Sequence, residues 1–324
     1  MSSKYLINSE KQLNESYAKV VQPFWQQQME LGEFAGVGAV MIRYAYVLHP
    51  EAIGSVAISS GRIETLLKYK EVVFDLYNNG YSVFIHDHRG QGLSGRMTAN
   101  PQQGYVEDFA DFVTDFKQFY EQIIVPHSQH KPHLLCHSMG GTIGSLYALK
   151  YPDDFSDIAL SAPMFGVRPA LPQWLGKFLI GSNLLVNSCF GSEPWYFMGQ
   201  GDYQADSFAN NLLTHSQARY QILIDAYEAQ PELKLGGITT QWLKAAAAAM
   251  EGVMQQAGKF PLPMLLMQAG ADKIVDNQSQ DRLAELVPCC QKRVFAGASH
   301  ELLMEVDEYR NPCFAAILAF WAEN

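Results

Sequence analysis

The chain has little of what marks several large classes of protein. Its apolar runs stop short of the roughly 18 residues that span a bilayer, so no transmembrane helix is expected. The N-terminal stretch MSSKYLINSEKQLNESY lacks the apolar core of a secretory signal, which points to a cytoplasmic protein. Peripheral contact with the inner face of the membrane stays open, although a net charge of −10 disfavours simple adhesion to anionic lipid. Lys and Arg form no long run, and nucleic acid is not expected as a partner. Cysteine is scarce. The 5 present are Cys136, Cys189, Cys289, Cys290 and Cys313, an odd number without metal-ligand spacing, so reduced thiols are expected and a metal site is not. Charged residues are only 17% of the chain against 48% hydrophobic, which lets 324 residues bury a sizeable core.

What is present alternates. A helical stretch reaches to about Leu31, and AGVGAVMIRYAYVL then reads as two short β segments. GSVAIS (54–59), YSVFIHD (81–87), HLLCH (133–137), FSDIALSAP (155–163), PMLLMQAG (263–270) and KRVFAGA (292–298) read as strands. Helical patterns separate them: 65–77, the Phe109/Phe112/Phe116/Ile123 spacing, the segment after Gly140, and 279–286. Strands alternating with helices predict an α/β protein whose mostly parallel sheet is covered on both faces. From Phe165 to Gly252 the alternation stops, with many aromatics, several prolines and no clear strand. A connection that long is not a plain loop. It predicts a helical cap, 165–252, inserted into a core made of 1–164 and 253–324.

LLCHSMGG (134–141) places one serine hydroxyl between a hydrophobic strand and two glycines. A tight strand-to-helix turn of the G-x-S-x-G kind lifts Ser138 above the carboxyl edge of the sheet, at a helix N-terminus that favours negative charge on a bound oxygen. Cys136 stands where that pattern has its first glycine, and a plain serine N-cap is the alternative role. A serine nucleophile needs a base and an acid that holds the base's tautomer, in the order Ser, Asp/Glu, His. Of 9 histidines only His215 and His300 follow Ser138, and His215 falls inside the insertion, before any late strand. His300, just past the last strand, is therefore the candidate base. Asp272 follows the strand ending near Gln268 and is the candidate acid; Asp276, at the start of the next helix, suits an N-cap. Backbone N–H groups of Met139 and, across the loop SSGRIE, of Arg62 are the candidate oxyanion donors, with Gly61 allowing a close approach. IHDHRGQGLSGR (85–96) has neither phosphate-loop spacing and reads as a structural loop beside the site.

The segments FIHDHRGQGLSGR, CHSMGG, GADKIVDN and GASHELLME resemble the monoglyceride-lipase and lysophospholipase branch of the α/β-hydrolases. SSGRIETLLKYKE, APMFG and NLLTHSQARYQ are similar to its bacterial lysophospholipase group. The resemblance runs from about Gly54 to the C-terminus. It implies an α/β-hydrolase fold, Ser138, Asp272 and His300 as a triad, and the segment near 165–252 as a cap over an acyl site. The expected activity is hydrolysis of the acyl ester of a lysophospholipid, with a monoacylglycerol lipase or broad carboxylesterase as the alternative, without cofactor or metal. A non-catalytic binding protein on the same fold is the reading from another class. Arg168, Trp174, Phe178, Arg219 and Tyr220 are the candidate substrate contacts.

Overall fold

The computed structural model describes residues 4–169, 173–191 and 193–324. Its 8-stranded sheet comprises β1 (Glu30–Ala35), β2 (Met41–Val47), β3 (Gly54–Ser59), β4 (Tyr81–His86), β5 (His133–His137), β6 (Ile158–Ser161), β7 (Met264–Ala269) and β8 (Cys290–Phe295). The order across the sheet is β1-β2-β4-β3-β5-β6-β7-β8. β1 and β2 form an antiparallel pair, β2 joins β4 antiparallel, and every pairing from β4 to β8 is parallel. Parallel strands need crossovers, and the helices that make them cover both faces, so β3 to β7 are buried along their whole length.

One face packs Phe112, Phe116 and Phe119 of helix Phe109–Phe119 with Ile143 and Tyr147 of helix Met139–Lys150. The other packs Val72, Val73 and Leu76 of helix Lys70–Asn78 with Phe314, Ile317 and Phe320 of helix Asp307–Trp321. Truncating a fully buried ring such as Phe116 to Ala should cost about 3–5 kcal/mol. Asp108 caps helix Phe109–Phe119 by accepting from the Ala110 N–H at 2.8 Å.

Three expected boundaries move. The N-terminal helical stretch ends at Gln28, and β1 occupies 30–35. AGVGAV is largely a turn, because Gly38 and Ala39 at φ 65° and 60° bend the chain between β1 and β2. β8 ends at Phe295, since Gly297 at φ 86° turns the chain before 298. After β6 come helices Gln173–Phe190, Gln217–Ala229 and Thr240–Gln256, with no strand among the described residues up to β7. The last of these packs Ala246, Ala249 and Val253 into the same cluster as Phe109 and Tyr147.

Candidate active site

Ser138 lies between β5 and helix Met139–Lys150 with φ 51° and ψ −115°. A non-glycine residue at positive φ costs of order 1–3 kcal/mol and persists only where its surroundings hold it. Three backbone bonds do so. Its N–H donates to the Ser161 carbonyl at 3.1 Å, and its own carbonyl accepts from Gly141 and Met164 at 2.9 Å each. A Cβ on Gly140 would lie 2.1 Å from the Ser59 carbonyl oxygen, so this turn can press against the end of β3 only with glycine there. Gly144 has the complementary role toward Cys136. A Cβ on Gly144 would lie 2.4 Å from the Cys136 Sγ, which shows how the turn accommodates a cysteine in place of the usual first glycine. Burial pushes that thiol well up, so it is a packing group and not a thiolate.

His300 brings Nε2 to 2.9 Å from the Ser138 Oγ, and its Nδ1 stands 2.7 Å from the Asp272 Oδ2. With Nδ1–H donating to the carboxylate, Nε2 is the acceptor for the serine proton. All three side chains are buried. Burial works against charge on Asp272, but the bond from His300 and the N–H groups of Ile274 (2.8 Å) and Val275 (3.1 Å) outweigh it and hold the carboxyl below its ordinary range. Asp276 instead accepts from the N–H groups of Gln278 and Ser279 and caps helix Asn277–Leu286.

A set of buried polar groups that the sequence reading passed over surrounds this chain. Glu64 accepts from the Gly61 N–H, from the Tyr69 hydroxyl at 2.7 Å and from the Lys68 ammonium at 2.6 Å. Lys68 donates in turn to Glu301, the neighbour of His300, so one ammonium joins the loop after β3 to the loop after β8. Burial alone would raise the Glu64 carboxyl; Lys68 above all, then His137 and Tyr69, brings it down to about 2. Gln91 donates to the carbonyls of Gly61 (2.8 Å) and Glu64 (3.0 Å), which is how the HDHRGQG segment supports the loop after β3. His137 donates from Nδ1 to the Ser161 carbonyl at 3.0 Å, and burial takes its pKa down to about 4. Its ring sits 4.9 Å from that of His300 without adding a charge. The signals were in the quoted motifs: Glu64 ends GRIE, and Glu301 follows His300.

Met139 begins its helix, so its N–H has no acceptor one turn back. Arg62 follows Gly61, where a Cβ would meet the His137 ring at 3.0 Å. Both proposed donors thus sit on segments that converge on the serine turn. The expected substrate contacts separate. Arg168 is exposed and donates from Nε to the Val275 carbonyl at 3.1 Å, beside the acid loop. Trp174 and Phe178 are exposed on helix Gln173–Phe190. Tyr220 is buried, its hydroxyl donating to the Asp206 carbonyl at 2.8 Å and its ring 5.6 Å from Phe208. Arg219 needs correcting. Its Nε and Nη2 hold Glu71 at 2.8 and 2.9 Å, and its other bonds go to the carbonyls of Glu305 and Asn8 and to Asp307, so it is a buried tie and not a free cation.

Residues 50–307 match the sequence profile of the serine aminopeptidase S33 hydrolases. The chain belongs to that family. It is 36% identical over 305 residues to lysophospholipase L2 of Escherichia coli K12, covering 92% of this chain and 88% of that one. It is 28% identical over 266 residues to the monoglyceride lipase of Rattus norvegicus, covering 81% and 79%. A highly thermostable carboxyl esterase from Bacillus coagulans, solved with glycerol, superposes with a TM-score of 0.71 at 15% identity, covering 92% of this chain and 99% of that one. At that identity the superposition speaks for the fold, which is the expected α/β-hydrolase sheet. Among the described residues no helix is long and apolar enough to cross a membrane.

Proposed function

We propose that this chain is a lysophospholipase working through an acyl-enzyme. Ser138 Oγ attacks the ester carbonyl carbon as His300 Nε2 takes the hydroxyl proton, and Asp272 stabilises the imidazolium. Met139 and Arg62 N–H groups receive the oxyanion. Collapse expels the glycerol oxygen, protonated by His300. Water, deprotonated by the same ring, then attacks the acyl-serine, and fatty acid leaves with the serine restored. No step calls for a metal or cofactor.

The observation that carries this reading is the continuous Ser138–His300–Asp272 hydrogen-bonded chain on a serine held at positive φ. The 36% identity to a lysophospholipase supports the choice of alcohol. We assign residues 165–252 as the cap, closed by helix Thr240–Gln256, which packs on the core. The apolar residues exposed on helix Gln173–Phe190 favour a lipid surface as its neighbour, consistent with a cytoplasmic protein at the inner face of the membrane. Monoacylglycerol hydrolysis is the second reading, favoured by the similarity to the monoglyceride lipase.

The test is a side-by-side assay of a long-chain lysophospholipid, the matching monoacylglycerol and the diacyl phospholipid, below their aggregation limits. kcat/KM should rank in that order, and should rise with acyl length at about 0.8 kcal/mol per buried methylene. A clear preference for monoacylglycerol would replace the first reading with the second.

A further inference from the structure

Several arginines of the chain differ in what fills the edge formed by Nε and Nη2. At Arg89 that edge holds Asp115, with bonds of 2.6 and 2.8 Å. At Arg219 it holds Glu71, at 2.8 and 2.9 Å. These are fork-on-carboxylate pairs, the geometry that also suits two oxygens of a phosphate. Arg96 has no carboxylate but donates to the carbonyls of Pro101, Ser94, Gly92 and Glu232, with Nε and Nη2 both engaged.

Arg62 is different. Its only protein acceptor among the described residues is the Gly236 carbonyl, 3.0 Å from Nη1, and its guanidinium carbon lies 5.8 Å from the Trp242 ring centroid. A Cβ on Gly104 would come within 2.9 Å of Nη1, so the head is packed into the seam between the core and the segment around Gly236. No carboxylate pairs with it, and Nε and Nη2 have no protein acceptor among the described residues. Burial lowers its pKa to about 10, offset in part by Tyr227 and Tyr196, so it keeps its charge at neutral pH. A half-buried cation without an anionic partner is costly.

We infer that Arg62 recognises the phosphate of the substrate with its open guanidinium edge while its backbone N–H receives the ester oxyanion. The inference rests on the lysophospholipase reading. The two ends fit by covalent length. From the ester carbonyl carbon of a 1-acyl lysophospholipid to its phosphorus there are as many bonds as from the Arg62 backbone nitrogen to its guanidinium carbon. One residue thereby spans the same stretch as the glycerol bridge, and Trp242 limits where the side chain can lie.

The test uses the full-length enzyme and reads a ratio: kcat/KM for 1-acyl lysophosphatidylcholine over that for the matching monoacylglycerol. Arg62→Met should lower this ratio about 10-fold or more, whatever loss the two substrates share, because only one of them carries the anion. Arg62→Lys should fall between, since an ammonium keeps the charge but loses the fork. Equal losses on both substrates, leaving the ratio unchanged, would make Arg62 a tie between core and cap and overturn the inference. A ratio that falls with Arg168→Met and not with Arg62→Met would overturn it too. The wild-type enzyme gives a second reading that needs no variant to fold. Acyl esters of phosphocholine diols should be cleaved less efficiently as the diol is lengthened beyond glycerol's three carbons, and indifference to that spacer would contradict the assignment. The ratio in the wild-type enzyme judges the lysophospholipase reading; the change in that ratio on substitution judges Arg62.

Discussion

The core loops around Ser138 and helix Gln173–Phe190 treat the same solvent in opposite ways. In the loops, Arg62 apart, charged groups are withdrawn from water and meet opposite charges. Glu64 meets Lys68, Lys68 meets Glu301, Arg89 meets Asp115, and Asp272 meets His300 and two N–H groups. On the helix, apolar groups are left in water: Trp174, Phe178 and Leu185 are 71%, 65% and 66% exposed, and their spacing puts them on one face. Buried charges with complete partners make positions rigid, which is what a reacting serine and an oxyanion need. Exposed rings do not position anything in the free protein, and they suit contact with a substrate that arrives from a lipid phase. Under the proposed function, chemistry belongs to the loops and capture to the helix.

That division orders the expected effects of substitution. Ser138→Ala should lower kcat for ester hydrolysis by about 10⁶-fold with the circular dichroism spectrum unchanged. Asp272→Asn should cost about 10⁴-fold in kcat, because His300 would lose the partner that fixes its tautomer. Asp276→Asn should show mainly as roughly 1 kcal/mol of stability, since only a helix cap is altered. A kinetic loss that follows Asp276 would move the acid by one helical turn.

Glu64→Gln sharpens the comparison within the loops. The substitution should reduce kcat by about 10-fold or more, since Gly61 would lose the charged acceptor that sets its loop. Its second signature is in acid. The Glu64 carboxyl is held at about 2 in the folded protein against an ordinary 4.5. Ionised Glu64 therefore adds stability that is complete above about pH 4.5 and is lost as pH falls toward 2. The urea midpoint of the variant should be lower at neutral pH and should fall less steeply across that window. Parallel curves for variant and parent would remove the charge from the account.

The smallest effects belong to helix Gln173–Phe190. Trp174→Ala with Phe178→Ala should leave cleavage of a water-soluble short-chain ester and the melting temperature nearly unchanged, because neither ring is buried. Turnover of long-chain substrate presented in vesicles should fall several-fold. Equal turnover in both formats would take the lipid-facing role away from this helix.

The parallel core and the order of Ser138, Asp272 and His300 were legible in the sequence because both are written locally. Buried strands are continuous apolar runs, and each of these three hydrogen-bonded residues follows one of them. The turn at Gly38 and Ala39 was not, since two successive positive φ values override the strand-like composition of AGVGAV. Nor were the Lys68 ammonium between Glu64 and Glu301, or the Arg219 tie to Glu71. Those pairs join residues 233 and 148 positions apart, and no spacing rule reaches that far. An arginine looks the same in sequence whether a carboxylate awaits it, as for Arg219, or does not, as for Arg62 in the loop after β3.

The central claim is that Ser138 carries the acyl group, and trapping it is the direct test. A fluorophosphonate probe incubated with the native enzyme, followed by digestion and mass spectrometry, should place one adduct on the peptide containing Ser138. Labelling should disappear in Ser138→Ala and be slowed strongly in Asp272→Asn. An adduct on another residue, or an unlabelled enzyme that still hydrolyses the ester, would contradict the account.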